Sequence, residues 1–63
     1  REESGVWEAV GRLPPRYRAV IHLYYYEGYQ TAEIGEILGL PLGTVHTRLV
    51  RGRAKLREFL EEG

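Results

Sequence analysis

The sequence predicts an all-α domain of four helices with no sheet. Apolar residues recur at helical spacing in four separate segments, and no stretch alternates apolar and polar residues with a period of two. The breaks between segments fall on Pro14-Pro15, Gly28 and Gly39, residues that stop or cap helices. Sixty-three residues make one domain, and a chain of that size buries only about 60% of the surface it exposes unfolded. Such a core serves a few helices and leaves no room for a deep catalytic cavity. The chain begins at Arg1 and holds no methionine, so residues 1–63 are expected to be a single domain cut from a longer chain.

Val6, Trp7, Val10 and Leu13 place a short first helix ending near Arg12, behind Glu2 and Glu3, acids that suit a helix N-terminus. Pro14-Pro15 stops it, because proline fixes its own backbone angle and disfavours helix in the residue before. Pro15 or Arg16 opens the second helix, since proline is tolerated in a first turn. From Arg16 to Glu27 the apolar set Tyr17, Ala19, Val20, Ile21, Leu23, Tyr24 and Tyr25 runs nearly all round the cylinder. That predicts a central helix with neighbours on several sides. The run Tyr24-Tyr25-Tyr26 resembles a base-stacking platform, but aromatics at helical spacing are more often core, and core is the expectation.

Gly28 is expected to close the second helix in the left-handed conformation. Gln30 or Thr31 starts the third, threonine being the better cap, with Glu33 in the favourable first turn. Ile34, Ile37 and Leu38 form its expected buried stripe. Gly35 costs about 1 kcal/mol against alanine inside a helix, so another helix is expected to cross close to its backbone. Gly39 ends this helix, and Leu40-Pro41 turns the chain into the last one.

That last helix organises the rest. Val45, Leu49, Leu56 and Leu60 share one stripe with Phe59 at its edge, while Thr44, Thr47, Val50, Arg51 and Ala54 face the other way. His46, Arg53 and Arg57 lie on one flank, Arg48 and Lys55 on the other. An outward ridge of mostly short residues bracketed by cations suits the DNA major groove, which admits one helix between two phosphate backbones.

Net charge is zero, but the distribution is not. Arg1 to Gly43 carries four basic and six acidic residues, Thr44 to Arg57 five basic and no acidic, and Glu58 to Gly63 three acids. A solvated helix face usually mixes signs to form pairs four residues apart; this one does not. The positive charge is gathered where a footprint on phosphates needs it.

Other classes find little support. There is no cysteine for a disulfide or thiolate site, and His22 and His46 are the only imidazoles, unpaired with carboxylates at ligand spacing. No metal and no cofactor is expected. No nucleophile–base pair, carboxylate pair or phosphate-cradling glycine loop suggests an enzyme. No segment approaches the ~20 apolar residues of a membrane span and no signal-peptide pattern opens the chain.

A short amphipathic helix, a glycine turn and a second helix with an outward basic ridge follow helix-turn-helix grammar. The residues that carry this also carry a resemblance. Leu13-Pro14-Pro15-Arg16-Tyr17-Arg18, Tyr26-Glu27-Gly28-Tyr29, Glu33-Ile34-Gly35-Glu36-Ile37-Leu38-Gly39, Gly43-Thr44-Val45-His46-Thr47-Arg48-Leu49 and Arg51-Gly52-Arg53-Ala54-Lys55-Leu56, in that order, resemble region 4 of bacterial sigma factors of the extracytoplasmic-function type. The resemblance covers about Val6 to Leu60. It implies a four-helix unit whose helix-turn-helix binds the −35 element of promoters within RNA polymerase holoenzyme, in the bacterial cytoplasm. It further implies docking on the flap of the polymerase β subunit and masking by an anti-sigma factor.

Carried over by residue, the resemblance implies base-edge contacts from His46, Thr47, Val50 and Arg51, with Val50 sized for a thymine methyl. Gly43 and Thr44 stand at the helix N-terminus, where backbone N–H groups favour a phosphate, although Thr44 has equal claim to be only a cap. Arg48 and Arg53 match backbone-holding positions, which set register without reading sequence, and Gln30 and Thr31 are further phosphate candidates. Lys55 and Arg57 are expected to be merely solvated. Arg51 is the strongest assignment, since packing alone gives no reason for an arginine there.

Three residues depart from the family pattern. Gly35 and Gly52 replace usual alanines, and His46 stands where lysine or arginine is frequent. Both glycines loosen helices, and an imidazole is mostly neutral near pH 7. DNA affinity is therefore expected to be modest and to rise as pH falls toward about 6; a pH-independent binding constant would remove His46 from the account. Two other readings stay open. One is a LuxR-type helix-turn-helix regulator, which would dimerise on paired half-sites. The other is a sigma-like mimic that binds an anti-sigma factor, which has no need of a cationic outer ridge. The Leu-Pro-Pro opening and the Arg-Gly-Arg-Ala-Lys-Leu segment favour the sigma domain over the first.

Overall fold

The computed structural model describes residues 2–62. Four helices follow one another: α1 (Glu2–Gly11), α2 (Pro15–Ile21), α3 (Thr31–Leu38) and α4 (Leu42–Glu62), and no strand occurs among the described residues. The side chains of Glu2 and Glu3, assigned above to a helix N-terminus, lie outside the described set.

Pro14 and Pro15 act as expected. Pro14 is extended, with φ −53° and ψ 146°, and Pro15 is the first residue of α2. The carbonyls this break leaves at the end of α1 do not go unpaired. Arg18 Nη1 reaches back from α2 to donate to the carbonyl of Gly11 at 3.2 Å, closing one of the orphan acceptors every helix end leaves.

The second helix does not run to Glu27 in α form. It widens at His22–Tyr26 into a π-turn, closed by the Glu27 N–H donating to the His22 carbonyl at 3.1 Å. A widened turn offsets every later side chain from the α period. Tyr24, Tyr25 and Tyr26 therefore leave the interior, at 37%, 52% and 66% exposure, and the expectation that they are core fails. Gly28 then reverses the chain at φ +82° as expected.

Helix α3 begins at Thr31, but the cap is Gln30 and not the threonine. The Gln30 N–H donates to the Glu33 carboxylate at 2.7 Å, the reciprocal arm of a capping box. Gly39 ends the helix at φ 68° and ψ 38°. Gly39→Ala forces a Cβ into the left-handed region and is expected to cost about 1–2 kcal/mol, read as a lower urea midpoint with an unchanged slope.

One core joins all four helices: Val10, Leu13, Val20, Ile21, Ile34, Val45 and Leu49. Ile34 and Val45 are fully buried, so the α3–α4 angle that defines a helix-turn-helix is fixed by their contact with that core. Two expected members miss it. Ile37 is 51% exposed and Leu60 44%, while Phe59, expected at the edge, joins Leu56 against the core. The Arg12 guanidinium covers the Phe59 ring at 4.3 Å, so the end of α1 steadies the distal end of α4.

The two unusual glycines have distinct causes. A Cβ at Gly35 would lie 2.8 Å from the Leu40 carbonyl oxygen and 3.8 Å from Val45 Cγ2 of α4, so the turn presses on this backbone first and the last helix packs beside it. The turn itself folds back onto α3, with the Leu40 N–H donating to the Gly35 carbonyl at 2.8 Å. The tighter helix crossing is at Gly52. It is buried, and a Cβ on it would meet Ile21 Cγ1 at 3.2 Å and Tyr17 Cβ at 3.3 Å.

Candidate nucleic-acid interface

Helix α4 has 21 residues, about 30 Å at 1.5 Å per residue, close to the 34 Å long axis of the molecule. Only its inner stripe of Val45, Leu49 and Gly52 is buried. The ridge opposite is open: Thr47, Val50, Arg51 and Ala54 are all exposed, Val50 at 58%. A lone exposed valine is ordinary on a surface; what distinguishes this ridge is that Val50 stands among short residues and Arg51, with no acidic residue from Thr44 to Arg57.

The N-terminal end of α4 is prepared differently from the expectation for Thr44. The Pro41 carbonyl accepts the N–H groups of Thr44 at 3.0 Å and Val45 at 3.1 Å. Thr44 is thus the third residue of the helix and half-buried, not its cap and not fully on the ridge. The Gly43 N–H sits one position earlier, where helix geometry supplies no internal acceptor, so its donor is free for an anion. Beside it, His46 Nε2 lies 3.3 Å from Thr31 Oγ1. That contact brings Gln30, Thr31, Gly43 and His46 to one end of the molecule, where α3 and α4 start together.

The flanking cations divide. Arg48 is half-buried on the flank it shares with Lys55. Arg53 turns the other way, and its Nη1 donates to the Tyr25 hydroxyl at 3.0 Å. It borders an apolar groove of about 460 Å³ lined by Val6, Trp7, Tyr25, Leu56 and Leu60 among others. Lys55 and Arg57 are exposed, as expected.

Arg51 has an intramolecular neighbour that sequence reasoning missed. It lines a shallow groove with Arg16, Tyr17, Ala54 and Lys55. Hydrogen bonding from Arg16, then the charges of Arg16 and Arg51, holds the Tyr17 hydroxyl below the usual tyrosine range, outweighing the opposite effect of burial. The contact depends on the register of α2 against α4, which no single-helix pattern reveals. Gly52, the small residue next to Arg51, was the available clue to that crossing.

Two helices at a glycine turn, the second long and basic on its outer face, define a DNA-binding helix-turn-helix domain. Residues 5–56 match the family described as Sigma-70, region 4, and the chain belongs to that family. It is 46% identical over 57 residues to the ECF RNA polymerase sigma factor SigW of Bacillus subtilis, covering 90% of this chain and 30% of that protein. Identity is 48% over 52 residues to the ECF sigma factor SigE of Mycolicibacterium smegmatis, covering 82% and 20%. With the ECF sigma factor SigL of Mycobacterium tuberculosis it is 42% over 55 residues, covering 87% and 31%. The chain thus spans between a fifth and a third of the length of these relatives. No helix among the described residues is long and apolar enough to cross a membrane.

Proposed function

We propose that this domain reads the −35 element of promoters for RNA polymerase, as part of an extracytoplasmic-function sigma factor in the bacterial cytoplasm. The observation that carries the reading is the solvent-exposed ridge of α4, with Thr47, Val50 and Arg51 uncovered above a buried stripe. His46, Thr47, Val50 and Arg51 meet base edges in the major groove, Arg51 pairing with a guanine and Val50 touching a thymine methyl. Gln30, Thr31, Gly43 and Thr44 hold one phosphate backbone at the common start of α3 and α4. Arg48 holds the backbone on its flank, and Arg53 does so after releasing Tyr25.

The family resemblance adds partners: the polymerase core through its β-subunit flap, and an anti-sigma factor. The apolar groove between α1 and α4 supports such docking, since Trp7, Tyr25 and Leu60 are partly exposed along it.

Binding to a set of −35 duplexes at several salt concentrations tests the reading. One duplex class is expected to be preferred, with affinity falling as salt rises. Equal binding to all sequences would reject promoter reading. Arg48→Ala is expected to weaken every duplex alike and to lower the salt slope by about 1, the loss of a single phosphate contact.

A further inference from the structure

We propose that Thr31 sets the tautomer of His46, so that the imidazole meets DNA as a hydrogen-bond acceptor and selects a base-edge amino group, on adenine or cytosine. This rests on the promoter-reading function above and names what one of its residues reads. His46 Nε2 and Thr31 Oγ1 lie 3.3 Å apart, joining the first residue of α3 to the start of α4. The core fixes both ends of that contact. Val45, the neighbour of His46, is fully buried, and so is Ile34, one turn after Thr31. Thr31 is half-buried and branched at Cβ, which restricts its rotation. Its hydroxyl is not spent on closing α3, because Gln30 and the Glu33 carboxylate do that.

The direction of this hydrogen bond follows from what the hydroxyl meets in the complex. A threonine hydroxyl has one proton to donate and two lone pairs to accept with. A phosphate oxygen only accepts, so Thr31 turns its O–H to the DNA backbone. It is left as an acceptor toward His46, and Nε2 must carry the ring proton. The other nitrogen of a neutral imidazole is then bare. His46 is exposed, and Nδ1 makes no hydrogen bond among the described residues, so this acceptor is open to the groove.

On base edges in the major groove the donors are the N6 amino group of adenine and the N4 amino group of cytosine. Guanine and thymine present acceptors and a methyl group there. An arginine or lysine at this position could only donate and would select guanine. A histidine held through Nε2 makes the opposite choice. Thr31 thus does two things at once, its proton on the phosphate and its oxygen on the imidazole. A backbone contact without sequence information orients the ring that reads sequence.

Binding to duplexes varied at each −35 base pair locates the pair at which His46→Ala loses preference. Wild type is expected to favour adenine or cytosine there. Purine in place of that adenine, or 2-pyrimidinone in place of that cytosine, removes only the amino group. It should weaken wild-type binding about threefold to tenfold, the range of one net hydrogen bond. Thr31→Val keeps the side-chain shape and removes the hydroxyl. It is expected to weaken every duplex through the lost phosphate contact and, beyond that, to lose the same preference by about threefold to tenfold. Thr31→Ser should restore that preference, and Thr31→Val added to His46→Ala should lose no more of it. Imidazole nitrogen NMR of the wild-type complex at about pH 8.5, where histidine is neutral, should show a proton on Nε2 and none on Nδ1. The base-analogue and NMR arms use the wild-type chain, so they hold even if a variant fails to fold. Several results would each overturn the proposal: no pair sensitive to His46→Ala, a guanine or thymine preference there, indifference to the amino group, a proton on Nδ1, or a folded Thr31→Val that weakens all duplexes alike. Promoter reading survives any of these if Arg51→Ala still loses preference at its own base pair. A wild-type chain without sequence preference would overturn both.

Discussion

Gly52→Leu is expected to unfold the domain. A Cβ at this position already lies 3.2 Å from Ile21 Cγ1, 3.3 Å from Tyr17 Cβ and 3.5 Å from Ile21 Cδ1. Leucine adds three further carbons toward Ile21, which is itself 1% exposed and has no space to retreat. Overpacking of this kind costs about 1–3 kcal/mol, more where the backbone must move. Here it must, because α2 and α4 share the most extensive contact of any helix pair. A domain of this length holds roughly 3–9 kcal/mol of stability in all. Loss of helical circular dichroism at 37 °C, or a urea midpoint near zero, is the expected result. Gly52→Ala is the control: its gain of about 1 kcal/mol in helix propensity is offset by a displacement of a few tenths of an ångström. It should change stability little. A stable Gly52→Leu chain would mean that α2 does not press on α4 at this point.

Arg51→Ala is expected to leave the fold unchanged and to remove preference at one base pair, by about 1–3 kcal/mol, or about 5- to 150-fold. The side chain is exposed and forms no ion pair among the described residues, so its removal opens no cavity in the core. What it takes away is a fork of donors held on the ridge, and a fork is what a guanine edge requires. Binding to duplexes already changed at that base pair should fall far less. The contrast with Arg48→Ala, uniform in sequence and visible in the salt slope, separates a base contact from a phosphate contact.

Much of this was legible in the residues, because the domain is built from local rules. Prolines 14 and 15, and glycines 28 and 39, punctuate the helices where their backbone chemistry says they must. The period of Val45 and Leu49 located the buried side of α4, and with it the open ridge. Errors arose where the winding or cap of a helix changed locally and where one helix had to be placed against another. The π-turn at His22–Tyr26 rotated three tyrosines outward, and no propensity in His-Leu-Tyr-Tyr-Tyr announces a widened turn. Ile37 fits the apolar stripe of α3 but lines an open groove beside Ala19, Leu23 and Leu38, which leaves it half in solvent. The tightest helix crossing lies at Gly52, where none was expected, and the neighbours of Arg51 and Arg53 are tyrosines of the second helical segment. The π-turn is a change of winding within one helix; the others are matters of inter-helix register, which a pattern read along one cylinder does not contain.

The central claim is that the outer ridge of α4 enters a DNA groove, and amide chemical-shift mapping of the folded chain with a preferred −35 duplex tests it most directly. Perturbations are expected to cluster at Thr31 and from Gly43 through Arg51, leaving Val6, Trp7 and Leu60 at their free positions. Shifts confined to the α1–α4 groove, with Thr47, Val50 and Arg51 unmoved, would contradict the account.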